Sequence, residues 1–219
     1  AWFLHLKIDM FLVNKFLLAT AAGLYSVSVA LAEKVWVIAK SVGTILFPKI
    51  SRSDKEQSRI FVPLVCRNVM FLTFFITIFL FFVGPKVITL LYSDKFIGSI
   101  LPFQILLLGT ITLTGDRMIS SYFSGQGILK PKIITNFISL ILNVILNLFL
   151  IPRFGIKGAA ISTAITYNLL FLMDLIIFTK ISNNKILDVV LVKKSDFRYY
   201  KNAFDKLKNK YKKSSGKLA

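Results

Sequence analysis

Apolar residues run along this chain in long blocks, not in the alternation of a strand or the single stripe of a soluble helix. Five blocks stand out: 23–47, 61–83, 101–124, 133–151 and 158–179. A helix needs about 20 apolar residues to cross a bilayer core. In lipid every backbone group needs an internal partner, so each block predicts a transmembrane helix. Pro48, Gly84 with Pro85, Gly125 to Gly127 with Pro131, and Pro152 with Gly155 mark the expected boundaries. The chain opens inside a further apolar stretch, AWFLHLKIDMFLV, with no charged leader region or cleavage site. That stretch reads as the truncated end of a first span. The expected fold is all-α: a polytopic membrane bundle of about six transmembrane helices, the first one truncated. Residues 1–180 form the bundle and 181–219 a basic tail.

Composition narrows the function classes. The chain is 55% apolar, contains 21 Phe and is only 17% charged, which excludes a disordered chain. One His and one Cys cannot build a zinc or Cys/His catalytic site. There is no strand–glycine loop–helix for a nucleotide phosphate, and a Ser/His/Asp set would have to use His5. The reading is therefore not an enzyme, with no cofactor and no metal. The net charge of +18 borders the spans, so orientation and anionic lipid explain it before nucleic acid does. Lys15, Lys86, Lys95, Arg153 and Lys157 make five positive charges on one side. Lys49, Arg52, Lys55, Arg59, Lys130 and Lys132, with eleven in the tail, make seventeen on the other. The positive-inside rule places the second set and the C-terminus in the cytoplasm. In the tail, Phe197, Tyr200, Phe204, Leu207 and Tyr211 recur every three or four residues between lysines. That spacing predicts an amphipathic helix on anionic membrane lipid.

Ionisable residues inside spans are costly and tend to face a cavity or one another. Arg67, Lys40 and Arg117 fall at similar depth, ~9 to 12 Å from their cytoplasmic helix ends at 1.5 Å per residue. They are expected to line a cavity and bind an anionic group such as a pyrophosphate, against the alternative of snorkelling to headgroups. Asp116, beside Arg117, suggests local pairing. Asp9, Glu33 and Asp116 are candidates for coupling to a proton or sodium ion, the plainer alternative being salt bridges to Lys7, Lys34 and Arg117. Asn136, Asn143 and Asn147 share a helix face and read first as interhelical glue. The small residues Gly158, Ala159, Ala160, Ser162 and Ala164 allow close helix approach, and Tyr167 and Asn168 carry polar groups beyond them.

Four strings carry a family resemblance. GLYSVSVALAEKVWVIAKSVGTILFPKIS (23–51) looks like the span ending in P-x-[IL]-S of bacterial polysaccharide flippases. ITLLYSDKFIGSILPFQILLLG (88–109) resembles their llyG-x-x-[FY] segment, and SGQGILKPK (124–132) their G-x-G-k-p loop. NVILNLFLIPRFGIKGAAISTAITY (143–167), the most specific of the four, matches N-x-x-L-N-x-x-L-I-P-x-x-G-i-x-G-A-A. One departure is Ser93, where the family commonly has Gly. The chain thus resembles the C-terminal half of the polysaccharide-biosynthesis (O-antigen) flippases, within the multidrug/oligosaccharidyl-lipid/polysaccharide exporter superfamily. The resemblance implies half of a two-bundle transporter in the bacterial cytoplasmic membrane. Its substrate would be an undecaprenyl-pyrophosphate-linked oligosaccharide, moved to the outer leaflet by alternating access. Lys40, Arg67 and Arg117 would then meet the pyrophosphate, and Asn143, Tyr167 and Asn168 the sugar. Polysaccharide polymerase and glycosyltransferases would be its neighbours. The rival readings are a peptidoglycan lipid-precursor flippase and a multidrug exporter of the same superfamily; three cavity cations disfavour the latter.

Overall fold

The computed structural model describes residues 2–196, with side chains from Lys7 onward; His5 and the expected tail helix from Phe197 to Tyr211 lie outside the described side chains. The described residues form six α-helices: α1 (Trp2–Ser51), α2 (Lys55–Tyr92), α3 (Ile100–Gly125), α4 (Leu129–Phe154), α5 (Ile156–Ser182) and α6 (Ile186–Val190). A 3₁₀ turn, Asp94–Ser99, joins α2 to α3. The first five helices are long and apolar enough to cross a membrane, so this is a helical membrane bundle, as the blocks predict.

α1 is continuous in name only. Leu18 sits at φ 72° and ψ 170°, and there the chain folds back. The Tyr25 hydroxyl lies 3.5 Å from Asp9, sixteen residues away; on a straight helix that separation would be ~24 Å. Residues 2–17 and 19–51 are therefore antiparallel arms. The Leu18 break, the 3₁₀ turn and Gly155 lie at one end of the bundle, the hinge end. Ser51, Gly125, Leu129 and Ser182 lie at the other, the tail end.

Three proline positions read as boundaries fall inside helices. Pro48, Pro85 and Pro152 belong to α1, α2 and α4. For Pro85 the structure gives the reason. A proline has no N–H for the carbonyl four residues back, and the Gln104 amide from α3 donates to that carbonyl, Phe81, at 3.1 Å. Pro63 repeats the device: Asn184 donates to the Arg59 carbonyl at 3.0 Å. At Gly84 a Cβ would run into the Phe103 ring, so glycine there serves helix contact and not a turn.

α3 is the central helix, packed on α1, α2 and α5, with α4 on the far side of α5. A Cβ at Gly109 would fall 3.0 Å from Ala164 Cα; that is the close α3–α5 approach the small residues of α5 permit. One apolar cluster, around Tyr25, Phe103, Leu107 and Ile151, fills the hinge end. A second, around Ile50, Tyr122, Phe123 and Phe178, fills the tail end. α4 is inverted relative to a soluble helix. Its exposed face is Ile133, Phe137, Ile141, Ile145 and Phe149, and its buried face is Thr135, Ser139, Asn143, Asn147 and Ile151. Lipid accepts the first face; only protein partners satisfy the second.

Candidate functional site

Polar chemistry collects in four places. The first is an open face on the second arm of α1 and the adjacent part of α3. Lys40 and Thr44 are exposed one turn apart, and Glu33 is half-buried two turns before Lys40. Beside them lies a cavity of about 350 Å³ lined by Gly43, Thr44, Phe47, Arg117, Ser120, Ser121 and Ser124. Gly43 makes room for the arginine, since a Cβ there would meet Arg117 Nε at 2.9 Å. That Nε is buried and has no hydrogen-bond partner. A guanidinium with an unused donor among hydroxyl groups is suited to an oxyanion.

The second place is a wholly buried cluster toward the hinge end. Asp9 is 0% exposed. Thr163 Oγ1 donates to its carboxylate at 2.5 Å, Asn147 Nδ2 at 2.6 Å and the Tyr25 hydroxyl at 3.5 Å. All three of these donors are neutral side chains. Asn147 also donates to Asn143 Oδ1 at 3.2 Å, while Asn147 Oδ1 and Asn143 Nδ2 close no hydrogen bond. Asn147 is the interhelical glue its spacing suggests. Asn143 lies in this cluster and not on the open face with Arg117.

The third place corrects a pairing. Asp116 does not bridge to Arg117. It pairs with Lys132 Nζ at 2.8 Å, and the same ammonium meets Asp174 at 2.5 Å. Thr135 Oγ1 donates to Asp174 at 2.6 Å and Ser120 Oγ to Asp116 at 3.4 Å. Lys132 reads as a loop residue because the apolar block begins at 133. Its signal was the register of α4: 132, 135, 139, 143 and 147 lie three and four residues apart on one face.

The fourth place removes Arg67 from the cation set. It is 8% exposed, and its Nε and one terminal nitrogen each donate to Asp196 at 2.5 Å. The other terminal nitrogen donates to the Asp188 carbonyl at 2.8 Å. α2 begins at Lys55, so Arg67 stands twelve residues from the tail end of its helix against eight for Arg117 in α3, and Arg67 points at the segment after α5. Those hydrogen bonds hold the Asp196 carboxyl below its ordinary range. Among the remaining candidates, Asn168 is exposed and donates back to its own helix at the Ala164 carbonyl, 2.7 Å away. Tyr167 is buried and shares a small space with Glu33 and Trp36. The structure therefore brings Lys40 and Arg117 to one face, Asp9 and Asn143 to one cluster, and leaves Arg67 and Asn168 apart.

Known proteins resemble this chain. The model of a family described as polysaccharide biosynthesis protein matches residues 2–101. An uncharacterized membrane protein of Methanocaldococcus jannaschii is 28% identical over 165 residues, 75% of this chain and 39% of that protein. The probable low-salt glycan biosynthesis flippase Agl15 of Haloferax volcanii is 27% identical over 168 residues, 73% of this chain and 34% of that protein. The probable multidrug resistance protein NorM of Oceanobacillus iheyensis is 27% identical over 159 residues, 64% of this chain and 35% of that protein. The chain thus spans little more than a third of the length of these relatives. No solved structure matches it. The resemblance carried by the motifs is upheld: the chain is similar to the polysaccharide biosynthesis proteins and to proteins named as a probable flippase and a probable multidrug resistance protein.

Proposed function

For this relative of the polysaccharide biosynthesis proteins, we propose part of a flippase that moves undecaprenyl-pyrophosphate-linked oligosaccharides from the cytoplasmic to the outer leaflet. The observation that carries this reading is Arg117, whose buried Nε has no partner in a cavity lined by Thr44 and three serines. Lys40 stands one turn from Thr44 on the same exposed face. A charged face at membrane depth is intolerable against lipid, so it would line the path between this bundle and another. A pyrophosphate meets a guanidinium and hydroxyls there, while the lipid tail stays beside the apolar faces of α2 and α4. The tail end of the bundle would lie in the cytoplasm with the basic C-terminus against anionic lipid. Asp9, buried on neutral donors, is the coupling residue in this reading and exchanges a proton or a sodium ion.

Deleting the full-length gene in its host and measuring lipid-linked intermediates by mass spectrometry tests the reading. Accumulation of a polyprenyl-pyrophosphate oligosaccharide with loss of surface glycan supports it and names the glycan. Accumulation of a peptidoglycan precursor moves the substrate but keeps the chemistry. Unchanged intermediates with new sensitivity to cationic drugs favour the multidrug reading, which the resemblance to a probable multidrug resistance protein keeps in view. Asp9→Asn should leave protein level unchanged and remove the dependence of flipping on the ion gradient; gradient-driven flipping at the wild-type rate would exclude Asp9.

A further inference from the structure

Ser120 belongs to two sites at once. Its hydroxyl donates to Asp116, and it lines the Arg117 cavity. Behind it Asp116 and Asp174, 6% and 0% exposed, share the single ammonium of Lys132. With both carboxylates ionised, the cluster holds one negative charge in excess inside the membrane. The groups facing it from the packed helices are few. α4 contributes Lys132 and α5 contributes Asp174. α2 contributes Cys66, whose thiol donates to the Gly115 carbonyl, and Arg67, already neutralised by Asp196. α1 contributes Lys40, exposed one turn from the cavity. Arg117, next to Asp116 in the chain, opens to the cavity on the other side of Ser120. The cluster's own hydrogen bonding is not closed. Ser139, one turn from Thr135 on the same face and 0% exposed, has a hydroxyl without a partner.

We propose that the Asp116–Lys132–Asp174 cluster takes up a proton when an anion occupies the Arg117 cavity. The inference rests on the cavity reading above and adds its regulation. An anion engages the Arg117 guanidinium and brings further negative charge to the other side of Ser120. In a low-dielectric interior the nearest like charges then favour their neutral form. The step is a proton moving from solvent to one carboxylate oxygen of the Asp116–Asp174 pair. One O–H bond forms, no other bond changes, and the cluster goes from one net negative charge to none. The two carboxyls titrate as a unit. Reciprocity then requires that a protonated cluster bind the anion more tightly by the same factor.

The test uses the full-length protein in lipid nanodiscs, titrated calorimetrically with sulfate, an anion whose charge is constant around neutral pH. Buffers of different ionisation enthalpy report protons taken up per anion bound. The expected result is uptake approaching one proton, with sulfate bound about tenfold more tightly on the acid side of the titration. Asp174→Asn and Asp116→Asn each leave one carboxylate on Lys132, so whichever folds should bind sulfate without proton uptake and with a flat pH profile. Sulfate binding without uptake in the wild type, or undiminished uptake in the variants, overturns the linkage and leaves the cavity standing. Wild-type binding that survives Arg117→Gln, or no sulfate binding at all, overturns the cavity reading itself.

Discussion

Ser93 and Leu18 adopt backbone conformations that a side chain makes costly. Both lie near φ 73° and ψ 170°, a region essentially reserved for glycine and worth about 1–3 kcal/mol of strain in other residues. The proteins whose motifs the chain resembles commonly have glycine where Ser93 stands, and glycine suits such a turn. Ser93→Gly should therefore stabilise the protein by about 1 kcal/mol, the relieved strain less the larger unfolded-state entropy of glycine. Thermal unfolding in detergent would show it, and an unchanged or lower midpoint would refute it. Asp196 makes a different demand. Its folded pKa is lowered, chiefly by the Arg67 hydrogen bonds, so the contact stabilises above the ordinary carboxyl range. It is lost only as pH falls through the lowered value. Docking of the segment after α5 onto α2 should be constant from neutral pH down to about 4 and fail in stronger acid. Asp196→Asn leaves Arg67 buried and unpaired and should cost about 3 kcal/mol at neutral pH. The same substitution should remove the acid transition, which unfolding curves at several pH values would detect.

The helices are bound to one another by side chains that repair proline's missing donors. Gln104→Leu strands the Phe81 carbonyl and should cost about 1–3 kcal/mol, the penalty of a buried acceptor without a partner. Pro85→Ala restores the backbone donor, so in that background Gln104→Leu should be nearly neutral. A double-mutant cycle reads the difference; additive effects would mean that Gln104 does not serve the proline. This is also why helix limits were only half legible in the chain. Each apolar block became a helix, because length and hydropathy settle that in lipid. Pro85 and Gly84 read as a boundary because local rules give proline and glycine that meaning. The overriding facts, an amide 19 residues further on and a phenyl ring packed on the glycine, exist only once helices meet. The Leu18 reversal falls in the stretch around Lys15 that separates the truncated first span from the 23–47 block, but its exact place had no signal: no proline or glycine stands there, and the sharp turn falls on a leucine.

For the molecule as a whole, the spans were legible and facing was not. Arg67 and Arg117 read as cations at similar depth, yet one closes on Asp196 and the other opens to a cavity, and no one-dimensional pattern separates them. The register of α4 was visible for Asn143 and Asn147, but cutting the span at 133 hid Lys132 and with it the Asp116–Asp174 cluster. Facing is what the proposed path depends on, and it yields a direct measurement. Thr44 and Ser124 are exposed beside Arg117, whereas Phe79 and Phe137 are exposed, at 62% and 63%, on apolar faces of α2 and α4. If the first pair lines an aqueous path and the second meets lipid, accessible surface alone cannot distinguish them but a charged, membrane-impermeant thiol reagent can. Cys66 is wholly buried, and replacing any cysteine outside residues 1–219 by serine gives a silent background. In membranes containing the full-length protein, Thr44→Cys and Ser124→Cys should label, at least tenfold faster than Phe79→Cys and Phe137→Cys by the reluctance of charge to enter hydrocarbon. Labelling of Thr44→Cys and Ser124→Cys should also slow when pyrophosphate occupies the cavity. Equal rates at all four positions would mean that the polar face is sealed by protein, and the substrate path would have to be sought elsewhere in the bundle.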